Sequence, residues 1–383
     1  MSMRQVLIAV DKFKGCLTAA DVAQALATGL SAGHGPHQVS CHTLPLADGG
    51  DGSVQAALDA GFSPLTTDIE GPTGQPARTT IAFDGSTAVI EVATTCGLQM
   101  LPAGHREPLA SSSAGLGQAL RTVLEHQPRR IVLALGGSAT TDGGAGMLAA
   151  LGVRFLDAAG VPFIPTGGTL QDIARIDPAG LVPLTGVELI AANDVQNPLI
   201  GPRGAAAVYG PQKGASPQDV DVLEAGLVNL ARRLDEAGWP GTSSAATPGA
   251  GSAGGLGFAA LLLGARMVSG ADFFLDLLGF DHALEGCDLV ITGEGKLDEQ
   301  TLSGKLPLVV ARRAAPVPII AVVGHNALEV DQLPDHHIER VYALSAMTTQ
   351  DSAQDPVLSA RLLTEIGQAI YHSPTLGKDT IRS

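Results

Sequence analysis

The sequence predicts an α/β protein in which one doubly wound domain is interrupted by a second α/β domain. Three observations lead there. Short β-branched runs alternate with Ala- and Leu-rich stretches of helical period, the pattern of strands joined by crossover helices. Near residue 70 that pattern gives way to short alternating runs of antiparallel character, and near residue 286 it resumes. Hydrophobic residues make up 45% and charged residues 16% of the 383, enough for sizeable cores and too apolar for disorder.

Taken in order, Val6–Val10 reads as the first strand. In "LTAADVAQALATGL" Thr18 stands as N-cap with Asp21 three residues on, and Val22, Leu26 and Leu30 share one helical face. "QVSCHTLPLADGGDG" is a strand ending in an acidic glycine loop, and "SVQAALDAG" is a helix stopped by Gly61. "LTTDIEGPTGQPARTTIAFDGSTAVIEVA" holds three alternating runs separated by turn residues. Two strand–loop pairs follow, "RIVLALGGSATTDGG" and "VELIAANDVQNPL", and "WPGTSSAATPGAGSAGG" is the most linker-like segment. "CDLVITGEGKLDEQTLSGK", "PVPIIAVVGHN" and "RVYALS" then complete the outer domain.

The 48 glycines exceed the usual ~7% and cluster at the ends of apolar runs, where tight turns and close approach to a ligand need them. A net charge of −15 disfavours nucleic acid or an anionic membrane as partner, while an anionic small molecule needs only local positive charge. The four cysteines are far apart and form no CxxC, which suits reduced thiols. Neither the apolar run at the N-terminus nor "GFAALLLGARMV" has the length of a secretory or membrane-spanning segment. The expectation is a cytoplasmic protein; a homo-oligomer stays open. Five of only six lysines (Lys12, Lys14, Lys213, Lys296 and Lys305) sit in Gly- or Asp-flanked turns, in a chain that otherwise prefers arginine.

Five loops mix glycine with acids, hydroxyls, amides or lysines. In open α/β sheets ligands bind beyond the carboxyl ends of the strands, and Gly-rich turns and helix N-termini offer N–H groups to phosphate. In "GGSATTDGGAG", Gly136 and Gly137 let the backbone approach a ligand and Ser138, Thr140 and Thr141 add hydroxyls. The helix from about Gly144 points its N-terminus back, with Asp142 either at the ligand or as its cap. "DKFKG" places Asp11, Lys12 and Lys14 after the first strand, and "ADGGDG" offers Asp48, Gly49, Gly50 and Asp51 to a polyol or to Mg²⁺ through water. "ANDVQNPL" sets Asp194 between Asn193 and Asn197, so its carboxylate could take a hydroxyl proton or hold a metal. "TGEGKLDEQTLSGK" brings Gly293, Glu294, Lys296, Asp298 and Lys305 together around two glycines. For each, a solvated or capped turn is the plainer alternative.

A P-loop is missing, and "GAGSAG" (Gly249, Gly251, Gly254) fits GxGxxG but follows no strand. No HExxH or GxSxG pattern stands out. On residues alone a kinase of a small anionic metabolite leads. A nicotinamide-dependent oxidoreductase of a small hydroxy acid and a non-catalytic sugar-acid binding protein remain alternatives.

Taken together these segments resemble the glycerate kinase family, the bacterial kind without a P-loop. The resemblance keeps the order of seven segments: "DKFKGCLTAADVAQAL", "LPLADGGDGSVQA", "GPTGQP", "LGGSATTDGGAGMLAALG", "NDVQNPLIGPRGAAAVYGPQKGA", "GAGSAGGLGFA" and "DLVITGEGKLDEQTLSGKLPLVVARRA". It implies a flavodoxin-like domain, residues 1–74 and 286–383, interrupted by a second α/β domain, residues 75–285. It also implies transfer of the ATP γ-phosphate to D-glycerate with Mg²⁺, giving 2-phosphoglycerate. On that reading Asp194 orients or deprotonates the substrate hydroxyl, and Lys14 meets the substrate or γ-phosphate charge. Gly136, Gly137 and Ser138 cradle phosphate, while Glu294 and Asp298 hold Mg²⁺ directly or through water. Asp48, Gly49, Gly50, Asp142, Asn197, Lys213, Gly293, Lys296 and Lys305 complete the expected ligand-binding set.

Overall fold

The computed structural model describes residues 3–33, 38–298, 301, 305–328 and 337–377. The chain divides into two compact units, Met1–Asp48 with Ala271–Ser383, and Gly49–Gly270. The sequence places the junctions at 74/75 and 285/286. The structure moves both, because "LTTDIEGPTGQPARTTIAF" pairs its strands into the second unit's sheet and the helix Gly270–Leu277 falls almost wholly in the first unit.

The first unit is a five-stranded, all-parallel sheet. From edge to edge its strands are Arg340–Ala343, Ile319–Asn326, Leu289–Leu297, Met3–Val10 and Gln38–Thr43. Parallel strands need crossovers and are buried on both faces, so their sequences run continuously apolar, as "VLIAV" and "PIIAVV" do. Val6, Ile8, Val10, Leu289, Ile291, Ile320 and Val322 form one core with the helices Ala19–Ser31 and Pro356–Tyr371. The first of these helices carries the expected capping box of Thr18 and Asp21, and buries Val22, Leu26 and Leu30. The two helices meet where neither has a side chain: a Cβ on Gly29 would stand 2.0 Å from the Thr364 carbonyl oxygen, and one on Gly367 2.4 Å from that of Leu26.

The second unit holds a six-stranded sheet in the order Arg266–Val268, Glu188–Ala192, Arg130–Ala134, Thr87–Glu91, Pro76–Phe83, Ser63–Glu70. The first four run parallel, and the last two add antiparallel, as the alternating runs require. A three-stranded antiparallel sheet, Pro162–Phe163, Arg154–Leu156 and Arg175–Asp177, accompanies it. The segment that reads as a linker is instead ordered within this unit. It forms the helix Gly241–Ala245 and a tight turn at Ser252–Gly254, with Ala245 and Ala250 fully buried. Its glycines serve close backbone packing, which composition alone cannot distinguish from flexibility. Among the described residues no helix is long and apolar enough to cross a membrane.

Gly29→Ala forces the two helices apart or shifts both backbones, an overpacking cost of about 1–3 kcal/mol. Hydrogen exchange in Pro356–Tyr371 is expected to accelerate accordingly.

Candidate active site

The sequence-predicted residues fall into two sets, one in each unit, and both sets follow the carboxyl ends of parallel strands. In the first unit, Asp11 follows the strand Met3–Val10 and Glu294 lies in the C-terminal half of the strand Leu289–Leu297. Asp11 is almost buried, and its carboxyl is raised to about 7, first by burial and then by the charges of Asp48 and Glu294, against the pull of Lys12. Glu294 is likewise raised to about 7, first by burial, with Asp298 and Asp48 adding to it and Thr301 and Lys305 opposing. Four carboxylates, Asp11, Asp48, Glu294 and Asp298, are thus electrostatically linked through Glu294. The Thr301 hydroxyl donates to Glu294 Oε1 at 2.7 Å and accepts from the Asp298 N–H at 3.2 Å, so it fixes the loop that carries both acids.

Lysines surround this group. Lys296 lies 3.2 Å and Lys305 4.0 Å from the Asp298 carboxylate, and Lys12 lies 3.8 Å from Asp11. Lys14 is exposed in the turn after the first strand. Gly295 backs onto that turn, since a Cβ there would lie 3.5 Å from the Lys14 nitrogen. Gly293 is different: it is buried within the sheet, where a Cβ would stand 2.0 Å from the Val322 carbonyl oxygen, so its lack of a side chain serves strand packing. Among the described residues no group of three acidic, histidine or cysteine side chains is arranged to hold a metal ion by itself.

In the second unit the loops after Arg130–Ala134 and Glu188–Ala192 lie side by side, joined by the Leu135 N–H donating to the Ala192 carbonyl at 3.1 Å. Gly136 touches backbone only: a Cβ would stand 2.4 Å from the Gly50 Cα, so the loops Gly49–Gly52 and Gly136–Gly137 meet without side chains. Gly137 is exposed, with φ at 76°. Beside them Asp194 Oδ1 accepts from the Gly270 N–H at 2.9 Å and from the Ser269 hydroxyl at 3.1 Å. The carboxylate is exposed yet oriented.

Three members of the predicted set have other duties. Asp142 is fully buried; its carboxylate accepts from the Ser113 N–H and hydroxyl and from the Gly144 and Gly146 N–H groups, at 2.7–3.2 Å. Burial pushes its carboxyl upward while those bonds pull it down. The N-terminus of the helix Ala145–Ala150 is therefore met by the chain's own acid and not held open for phosphate. Asn197 accepts from the Tyr209 hydroxyl at 2.7 Å and donates to the Arg203 carbonyl at 2.8 Å, so both ends of its amide staple its own loop. Lys213 is buried, with Nζ donating to Ser138 Oγ at 2.9 Å and to the Thr140 carbonyl at 2.5 Å. Similarly, the "GAGSAG" glycines pack against neighbouring loops: a Cβ on Gly251 would lie 2.2 Å from the Pro198 carbonyl oxygen.

A model of the glycerate kinase family matches residues 6–372. The chain belongs to the glycerate kinase family. It is similar to the glycerate kinase of Bacillus subtilis strain 168, 40% identical over 89% of this chain and 90% of that protein. It is 37% identical to the glycerate 2-kinase of Escherichia coli K12, over 91% of this chain and 93% of the relative. A crystal structure from Salmonella typhimurium LT2, assigned to a glycerate kinase 2, superposes with a TM-score of 0.81 at 32% identity. That match covers 98% of this chain and 99% of the other.

Against this glycerate kinase frame, the predicted set leaves out Asp11, Thr301, Ser269 and Ser113. Asp11 carries a legible signal: an acid one residue past an apolar strand, just as Glu294 stands at the end of another. Ser269 and Ser113 carry none, because each reaches its acid across 75 and 29 residues of chain.

Replacing Asp142 by Ala leaves several buried donors unpaired at about 1–3 kcal/mol each. A loss of at least about 3 kcal/mol is expected in urea denaturation, with Trp239 fluorescence as probe.

Proposed function

We propose that the chain transfers the γ-phosphoryl group of ATP to a hydroxyl of D-glycerate, giving 2-phosphoglycerate. Family membership supports the reaction class, and the E. coli relative named glycerate 2-kinase supports the position. The observation within the structure that carries the reading is the pairing in one unit of a side-chain-free turn, Gly136–Gly137, with an oriented carboxylate, Asp194. Phosphoryl transfer asks the protein mainly for positioning and charge stabilisation, and that pairing supplies both kinds of surface.

Each residue then has a defined task. Asp194 accepts or orients the glycerate hydroxyl proton, its Oδ1 anchored by Ser269 and Gly270. Gly136, Gly137, Gly49 and Gly50 let phosphate or carboxylate approach the backbone. Lys14, with Lys296 and Lys305, offers positive charge to the phosphates or to the glycerate carboxylate. Glu294 and Asp298 would hold Mg²⁺ directly or through water, a donor set of the size Mg²⁺ commonly takes from a protein, namely one or two carboxylates. When bound it neutralises phosphate charge. The strand order of the first unit, 2-1-3-4-5 when its own strands are numbered along the chain, supports the flavodoxin-like doubly wound reading. A cytoplasmic location is in keeping with the four unpaired thiols.

³¹P NMR of purified protein with ATP, Mg²⁺ and D-glycerate is expected to show a Mg²⁺-dependent 2-phosphoglycerate resonance. A 3-phosphoglycerate resonance would overturn the position, and ATP use no faster than without glycerate would overturn the kinase reading. Asp194→Asn keeps an Oδ1 acceptor for Ser269 and Gly270, so the fold should persist while kcat falls by about 10²–10⁴-fold. A wild-type kcat removes Asp194 from the proton step.

A further inference from the structure

Lys213 is the most enclosed cation of the second unit. It ends the short turn Pro211–Lys213, and its side chain is 2% exposed. Gly254 packs directly against the ammonium: a Cβ there would stand 2.8 Å from Nζ and 1.8 Å from the Thr140 carbonyl oxygen. Its two bonds reach one short stretch, the Ser138 hydroxyl and the Thr140 carbonyl. That stretch continues directly from the exposed Gly136–Gly137 turn. The opposite side of the same stretch is tied by the Ala139 N–H donating to the Cys96 carbonyl at 2.9 Å and the Leu98 N–H donating to that of Gly137 at 2.9 Å.

We propose that Lys213 is a positioning residue for the phosphoryl transfer, its ammonium fixing the shape of the Gly136–Thr140 turn through Ser138 and Thr140 without touching substrate. This rests on the reading that the turn meets the phosphate or carboxylate of a substrate. A structural role alone needs no charge here, since burying an ammonium is unfavourable and an apolar residue fills the same space more cheaply. What the charge adds is strength: the ammonium makes charge-assisted bonds to Ser138 and Thr140, whereas the neutral amine, though it keeps two N–H donors, holds the same two acceptors more weakly.

The titratable and charged groups around Nζ are few. Asp142 and Cys96 face it within the same core, and Arg106 packs its stem against Gly214. Burial lowers Lys213 to about 8, against the opposing pull of Asp142. The Cys96 thiol, itself raised by burial to about 12, stays neutral throughout the range in which Lys213 titrates. The sign follows: the turn is held below pH of about 8 and loosens as pH rises through it.

The test compares wild type, Lys213→Met and Ser138→Ala between pH 6 and 10, with thermal midpoints and separate kcat and KM values for ATP and glycerate. Hydrogen exchange over residues 136–141, with and without each substrate, accompanies the kinetics. Wild type is expected to lose kcat/KM above a pH of about 8. Lys213→Met is expected to fold, to lose about 10²-fold in kcat/KM, the scale of a 1 Å misplacement, and to lack that alkaline limb. Ser138→Ala removes one acceptor from the ammonium, so its limb should move to lower pH; this variant decides the matter if Lys213→Met does not fold. A folded Lys213→Met with wild-type kinetics and the same limb overturns the proposal, as does an unmoved limb in Ser138→Ala. If neither substrate protects residues 136–141 in wild type, the reading of the turn as a substrate surface fails instead, a result separable from the first.

Discussion

Backbone meeting backbone at the ends of the parallel strands is the constraint on which the second unit depends. Gly136 rests on Gly50, and Gly254 on the Thr140 carbonyl, each at a separation no Cβ could share. Any side chain at these places would separate the loops by more than a bond length. Three sequence-distant loops are thereby drawn into one layer, and the Gly143 N–H completes the link by donating to the Gly254 carbonyl at 3.0 Å. Peptide groups, not side chains, form these contacts, and peptide N–H groups are the donors an anionic ligand of few atoms would use on the proposed reading.

That layer changes the source of phosphate affinity. Two short helices start behind the glycine loops, and both have their N-termini occupied by internal acids. Glu91 accepts from the Val54 N–H at 2.8 Å in front of Ser53–Asp59, and Asp142 accepts from Gly144 and Gly146 in front of Ala145–Ala150. The helix ends are therefore structural. On the proposed reaction, phosphate affinity in this unit would draw on turn N–H groups and not on helix ends.

The outer fold was legible because its signals are local. The period-2 and period-3.6 patterns, the Thr18 box and the Gly61 stop each act within a few residues, and strands and helices stand where those signals put them. The junctions were not legible. Whether "LTTDIE" belongs to one unit or the other is decided by which strand it pairs with, and the sequence of an antiparallel edge strand does not name its neighbour. The candidate site divides in the same way. Loops such as "GGSATTDGG" announce themselves by composition. Which of their polar atoms point inward does not, so Asp142 and Asn197 look alike with Asp194 in the sequence although only Asp194 is exposed.

Lysine usage carries the same lesson further. In a chain with seventeen arginines and six lysines, a lysine in a glycine-flanked turn marks a place where a guanidinium is disfavoured. At Lys213 the setting is enclosure: the ammonium is buried against Gly254 and donates to the Thr140 carbonyl and the Ser138 hydroxyl. Lys296 and Lys305 stand in a different setting, both partly or largely open to solvent beside Asp298. On the proposed reaction, a compact ammonium there would release Asp298 for an arriving phosphate more readily than a bidentate arginine. One residue type thus stands in two settings, enclosed in the second unit and open to solvent beside an acid in the first.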